Sequence, residues 1–334
     1  MKAKDFVVVK RPTLAKITKH PTIEFANYER RLESMQFVMQ SIQQAYLGAR
    51  ERAVIVLEGW DTAGKGGIVR RLGWALDPRS FKVYPITAPL PHERGRHYLQ
   101  RFWEKLPDPG QIVVFDRSWY GRILVERVEG FASKREWHRG YEEINEFERM
   151  MVADGIRIAK CFLHITPAEQ VRRFKDRLTN PLKRWKLSYE DFRNRSRWAN
   201  YEVAIEDMLE KTSLKRAPWH LIPANNKPYG RVAVFTIMID VLGKGRGRSS
   251  HTSSGNSCLS ERIGRACCGV IPSDRRISRR RVKGVLCQGT PSVVTALGNS
   301  NFTQGQLTAS LSLRPWDRED AASRTARRAR DRRR

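Results

Sequence analysis

Apolar residues follow two patterns along the first 245 residues. In 27–50, Leu32, Met35, Val38, Met39 and Ile42 recur at helical spacing, which predicts an amphipathic helix. The segment 53–59, AVIVLEG, is a continuous apolar run bounded by glycine and predicts a strand buried on both faces. Comparable runs predict strands at 81–87, 111–117, 156–165 and 220–224. Helices are expected at 68–76, 94–105, 134–154, 167–178, 188–212 and 228–242. Strands alternating with helices predict right-handed crossovers and one parallel sheet covered on both faces, an α/β architecture.

Composition changes this picture at one place. The 334 residues carry 63 Lys plus Arg against 35 Asp plus Glu, net +28, and 40% are hydrophobic. That hydrophobic share excludes a wholly disordered chain. No apolar run approaches the ~18 residues that a membrane helix needs. The N-terminus lacks a secretory pattern, and only Cys161 precedes residue 258, so a reducing, cytoplasmic setting is expected. Near residue 245 the character shifts. Residues 246–334 hold 19 of the bases, and Lys283 is the one lysine among them. This Arg/Ser-rich tail lacks sustained periodicity and large apolar anchors. It is expected to be disordered: an arginine-rich arm for a polyanion or a non-native extension. The spacing of Cys258, Cys267, Cys268 and Cys287 fits no paired zinc motif. The folded domain is expected to span 1–245, with an N-terminal extension over about 1–26.

Candidate chemistry begins directly after the 53–59 strand. GWDTAGKGG, Gly59 to Gly67, fits G-x-x-x-x-G-K with a buried strand before it and a helix after it. Backbone N–H groups of Gly59, Thr62, Ala63, Gly64, Gly66 and Gly67 can line an anion nest at a helix N-terminus, and Lys65 supplies a point charge for phosphate oxygens. The residue after Lys65 is Gly66, so the hydroxyl that usually ligates Mg²⁺ in such loops is missing. Asp61, a carboxylate beside phosphates, makes sense as a hard oxygen ligand to a cation; capping the loop or helix is the alternative. The 111–117 run ends on Asp116, which puts a second carboxylate at a strand's C-terminal end, where Mg²⁺ is held near a phosphate loop. Arg117 and Arg122 follow, and Arg70 lies on the helix after the loop; each can grip phosphate.

Residues 172–188 concentrate bases, among them Arg173, Arg177 and Lys183, around Pro181. The region resembles a kinase lid, expected over about 167–200, that closes basic side chains over transferring phosphates. A solvated basic face is the alternative. Trp185 and Trp198 are read as packing residues, and His164 as a core residue. The other histidines lack a paired Ser or Cys, so no nucleophilic triad is expected.

EGWDTAGKGG, FDRSWYGRILVERVEGF, NEFERMMVADG, EQVRRFKDR, NPLKRWKLS and APWHLIPANNK, in this order, resemble the polyphosphate kinase 2 family over roughly 15–243. The resemblance implies a three-layer α/β/α P-loop kinase fold with a parallel sheet and helical lid. It also implies Mg²⁺ dependence and reversible phosphoryl transfer between inorganic polyphosphate and a nucleotide. By motif match it makes Asp61, Lys65, Asp116 and Arg117 the catalytic set and Arg177 and Lys183 lid residues, while the missing hydroxyl at Gly66 and the strand-end position of Asp116 make Asp61 and Asp116 the expected metal ligands. Gly121 in SWYGR resembles the members that use nucleoside monophosphates; AMP to ADP is the favoured reaction and ADP to ATP the runner-up. Nucleoside mono-, di- and triphosphates are the expected partners. A homo-oligomer is expected, with no membrane and no specific nucleic acid. The rivals are an ATP-dependent small-molecule P-loop kinase, disfavoured by Gly66 and the basic excess, and a nucleic-acid-binding protein, disfavoured because the bases coincide with kinase motifs.

Overall fold

The computed structural model describes residues 1–244, so the expectations for 246–334 fall outside the described residues. In chain order the elements are α1 (Phe25–Ala49), β1 (Ala53–Gly59), α2 (Lys65–Ala75), β2 (Phe81–Pro85), α3 (Gln100–Trp103), β3 (Ile112–Asp116), α4 (Val125–Val128), α5 (Lys134–Ala153), β4 (Arg157–His164), α6 (Pro167–Thr179), α7 (Pro181–Arg184), α8 (Tyr189–Ser196), α9 (Trp198–Lys211), β5 (Trp219–Pro223) and α10 (Lys227–Gly243).

All pairings in the five-stranded sheet are parallel, in the order β2-β3-β1-β4-β5. The central strand β1 is buried from Ala53 to Glu58, as expected of a strand covered on both faces. Side-chain parity along β4 separates the two covering layers. Lys160 reaches Glu148 on α5, whereas Arg157 reaches the Leu242 carbonyl on α10. The helices α1, α2 and α10 pack on one another, with α2 and α10 against the sheet, and α5 packs on β4, giving three layers.

The residues ahead of α1 are not a loose extension. Val8 N–H donates to the Trp219 carbonyl beside edge strand β5, and Arg11 pairs with Asp207 at 2.6 Å. Two expected helices differ. Only Gln100–Trp103 of 94–105 is helical, because Gly95 takes φ +78° in the turn before it. The helix expected over 188–212 is cut at Arg197 into α8 and α9. That break lets Trp198 stack on Trp60 with ring centroids 3.6 Å apart, a packing role. Pro181 does more than break the basic region. Asn180 is held extended before it, and its side chain caps the short α7 at Leu182 N–H.

Candidate active site

Glycine is required at Gly59, where β1 ends. There φ is +148° and a Cβ would lie 2.6 Å from the Leu163 carbonyl oxygen of β4. Gly64 at φ +114° turns the loop into α2. Gly66 has neither constraint: a Cβ there would meet nothing within 4 Å, so the fold itself leaves room for a side chain. Thr62 sits at φ +66° with its hydroxyl buried and without a hydrogen-bond partner. A β-branched residue in this region is strained by about 1–3 kcal/mol. Thr62→Gly is therefore expected to raise Tm by about 2–4 °C, a net gain of about 1 kcal/mol after the extra chain entropy of glycine. A lower Tm in thermal unfolding would mean that the hydroxyl holds the loop.

Lys65 Nζ donates to the Gly59 carbonyl at 2.7 Å and the Trp60 carbonyl at 3.3 Å, curling over the loop. Asp61 Oδ1 accepts from Arg117 Nη2 at 3.0 Å, and Oδ2 accepts from Asn194 Nδ2 of α8 at 2.9 Å. Asp116 ends β3 in register with Leu57 of β1 and Pro85 of β2. Its carboxylate accepts no hydrogen bond from the described residues. Arg117 follows at φ +63°, a strained position that swings its side chain toward Asp61. The fold thus brings Asp61, Lys65, Asp116 and Arg117 to the C-terminal edge of the two central strands β1 and β3, where open α/β sheets hold ligands.

Other expected residues are placed differently. Arg173 is a correction: it is 2% exposed and is no lid base. Its guanidinium donates to the carbonyls of Thr62, Ala63, Ala224 and Asn225 and pairs with Glu169, clamping the phosphate loop to the end of β5. Arg70 is exposed on α2, with its guanidinium 5.9 Å from the Trp74 ring centre. Arg122 is tied to Glu126 at 3.1 Å and lies over the Tyr98 ring, facing α5 at Gly140. Arg177 pairs with Asp191 at 3.6 Å, and Lys183 is exposed on α7. His164 is a core residue: its Nδ1 accepts from Trp60 Nε1, and burial, with His20 beside it, pushes the imidazole down to about 4.

Several residues at the site escape sequence reasoning. Glu58 is buried one residue before Gly59 and accepts from Ser118 Oγ at 2.8 Å, joining β1 to the turn after Asp116. Burial pushes its carboxyl up, against the pull of Lys65 and Ser118. A charge inside the apolar run 53–59 was the available signal. Glu129 receives Arg193 and Arg197, both at 3.2 Å, and anchors the junction of α8 and α9. Burial pushes the Asp191 carboxyl up, and the Asp61 charge adds to this. Half-buried Lys227 is held low by burial and then by Arg173 and Lys183 nearby.

The two carboxylates suit Mg²⁺, a hard cation that is held by one or two carboxylates together with substrate phosphates. Among the described residues no group of three or more His, Cys, Asp or Glu is placed to hold a metal ion by itself. Likewise no helix of the described residues is long and apolar enough to cross a membrane.

A family model described as Polyphosphate kinase 2 (PPK2) matches residues 22–248. A polyphosphate:AMP phosphotransferase of Pseudomonas syringae pv. tomato is 48% identical over 191 residues, 57% of this chain and 38% of that protein. The chain therefore spans well under half the length of that relative. An ADP-polyphosphate phosphotransferase of Rhizobium meliloti is 40% identical over 212 residues, 64% of this chain and 69% of that protein. The crystal structure of polyphosphate kinase 2 from Arthrobacter aurescens superposes with TM-score 0.71 at 31% identity, covering 79% of this chain and 97% of that one. With a phosphate loop that carries Asp61, a strand-end Asp116 and a five-stranded parallel sheet, and with this match over most of its described length, the chain belongs to the polyphosphate kinase 2 family.

Proposed function

We propose that the protein transfers a phosphoryl group reversibly between inorganic polyphosphate and a nucleotide, with AMP to ADP favoured over ADP to ATP. The observation that carries this reading is the convergence of Lys65, Arg117 and Asp61 on one phosphate loop, with Asp116 at the adjacent strand end. A terminal phosphate acceptor is already ionised at neutral pH. Its oxygen attacks the terminal phosphorus of polyphosphate, the bridging P–O bond breaks, and the electron pair leaves on the shortened chain. Positioning and charge neutralisation suffice for this step.

The loop N–H groups and the N-terminus of α2 hold the transferring phosphate, and Lys65 exchanges its carbonyl partners for phosphate oxygens. Arg117 bridges the loop carboxylate and the incoming charge. Asp61 and Asp116 would hold Mg²⁺, which supplies charge neutralisation across the donor and acceptor phosphates. Arg177 and Lys183 close from the lid and exclude water. The AMP preference rests on Gly121 and on the polyphosphate:AMP phosphotransferase relatives at 48% identity.

The donor is inferred from the surplus of positive charge. Lys227 is crowded by burial and by neighbouring bases, and a polyanion would relieve that crowding. The KM for polyphosphate is expected to rise steeply with salt, and the KM for nucleotide to rise much less, by analogy with counterion release from nucleic acids. Initial rates across a salt series, with polyphosphate, ATP or GTP as donor, test both points. Equal shallow slopes contradict a donor held by many charges, and turnover with ATP but none with polyphosphate selects a small-molecule kinase instead.

A further inference from the structure

Asp61 is held from two sides by groups of different kind. Arg117 holds Oδ1 from the sheet edge, whereas Asn194 Nδ2 of lid helix α8 holds Oδ2 at 2.9 Å. The Asn194 amide is itself oriented: its Oδ1 lies 3.2 Å from Tyr201 Oη, which lies 3.1 Å from Glu129 Oε1. A second path runs parallel to the first. Arg195 of α8 donates to Gln170 at 3.0 Å, and Gln170 Nε2 donates to the Asp61 carbonyl at 3.3 Å. The lid helix therefore meets the Asp61 side chain directly through Asn194 and the Asp61 carbonyl by way of Gln170, beside the Trp60–Trp198 stack.

The residue type at this contact is informative. Arg193, Arg195 and Arg197 flank Asn194 in sequence but are engaged by Glu129 and Gln170, and a neutral amide is what α8 presents to Asp61. With Arg117 already on Oδ1, a second guanidinium at Oδ2 would leave no oxygen of this carboxylate open to a metal ion. A neutral amide donates a hydrogen bond without a full charge, and a dication can displace it.

We propose that Asn194 is a displaceable latch: it docks the lid helix on Asp61, and a divalent cation that takes Asp61 releases it. Asn194 is thus a positioning residue that acts through Asp61. Linkage requires reciprocity: a cation that undocks the lid binds more weakly while the lid is docked, by the same factor. The proposal rests on the cation role given above to Asp61, and the test separates the two.

Mn²⁺, as an EPR-visible substitute for Mg²⁺, is titrated alone into the full chain, and hydrogen exchange of residues 189–196 is followed with and without it. Asn194→Ala and Asn194→Asp both remove the donor, and each is expected to bind Mn²⁺ about tenfold more tightly than the parent. In the parent, Mn²⁺ should speed exchange of the lid amides; in Asn194→Ala, exchange should be fast throughout. Unchanged or weaker Mn²⁺ binding by Asn194→Ala overturns the latch, and so does tightening by Asn194→Asp alone, which would report only an added carboxylate. Asp61→Asn serves as the reference. If it loses Mn²⁺ binding while Asn194→Ala binds as the parent does, the latch alone fails. If it binds as the parent does, the cation role of Asp61 fails.

Discussion

Asp116→Asn is expected to lower kcat by about 10²–10³-fold, in line with the loss of one preorganised electrostatic contact to a transition state, and to leave Tm nearly unchanged. Both halves follow from the geometry. Asp116 ends β3, fixed in register between Leu57 and Pro85, so the side chain at this position is set by the sheet rather than by its own contacts. Its carboxylate accepts no hydrogen bond from the described residues, so the isosteric amide breaks nothing in the fold. It also removes a negative charge that pushes the neighbouring Glu58 carboxyl up but holds the Arg117 guanidinium charged, two effects of opposite sign. What the amide cannot do is neutralise a cation or the charge spreading over a transferring phosphoryl group. Asp61→Asn is a less clean experiment, since it alters the contacts to Arg117 and Asn194 as well. Turnover of Asp116→Asn near the parent level at limiting Mg²⁺ would remove Asp116 from the metal set, and a large fall in Tm would mean that the carboxylate holds structure.

How much of this was legible in the sequence depends on the range of the interaction concerned. The phosphate loop and the strand-end Asp116 were readable because their chemistry is local: glycines at fixed spacing, an apolar run, a carboxylate at its end. Arg173 was not. Within 172–188 it is one base among many, and its fate depends on α6 packing against the loop and the end of β5, where four carbonyls converge on it. Asn194 and Glu129 were invisible for a related reason: neither residue type is unusual in its segment, and their partners lie 133 and 64 or more positions away. Glu58 did leave a trace, a charge in an otherwise apolar strand, but its meaning required Ser118 to be brought beside it. The helix expected over 94–105 failed for a local reason, the positive φ of Gly95.

The largest expected loss of stability lies away from the phosphates, at a buried ion pair that sequence reading passed over. Lys160 of β4 and Glu148 of α5 are both fully buried and meet at 2.6 Å. Lys160 Nζ also donates to Tyr120 Oη at 2.9 Å and the Thr212 carbonyl at 2.7 Å, while Glu148 Oε1 accepts from Trp119 Nε1 and Tyr120 Oη. Burial pushes the Lys160 ammonium down and Glu148 opposes it, so the charge persists only because its partner is in place. Lys160→Met removes one member and leaves a carboxylate in a dry interior. The expected cost is about 3–5 kcal/mol, or roughly 6–20 °C in Tm for a domain of this size. Lys160→Met with Glu148→Leu should recover most of it, because an apolar pair of similar volume escapes the desolvation penalty. The pH dependence separates this account from a simple packing defect. In Lys160→Met a carboxylate is left buried without its counter-ion, and burial disfavours the charged form of a carboxyl group, so stability is expected to be greatest at low pH and to fall as pH rises. A cavity at the same position would lack this slope. Tyr120 lies three residues after Arg117, so the single variant should also lose turnover as the SWYGR turn loosens, and the double variant should regain stability without regaining all of it. Thermal unfolding of the parent and both variants between pH 5 and pH 8 measures this; a flat pH profile for Lys160→Met would show that the pair is not held by charge.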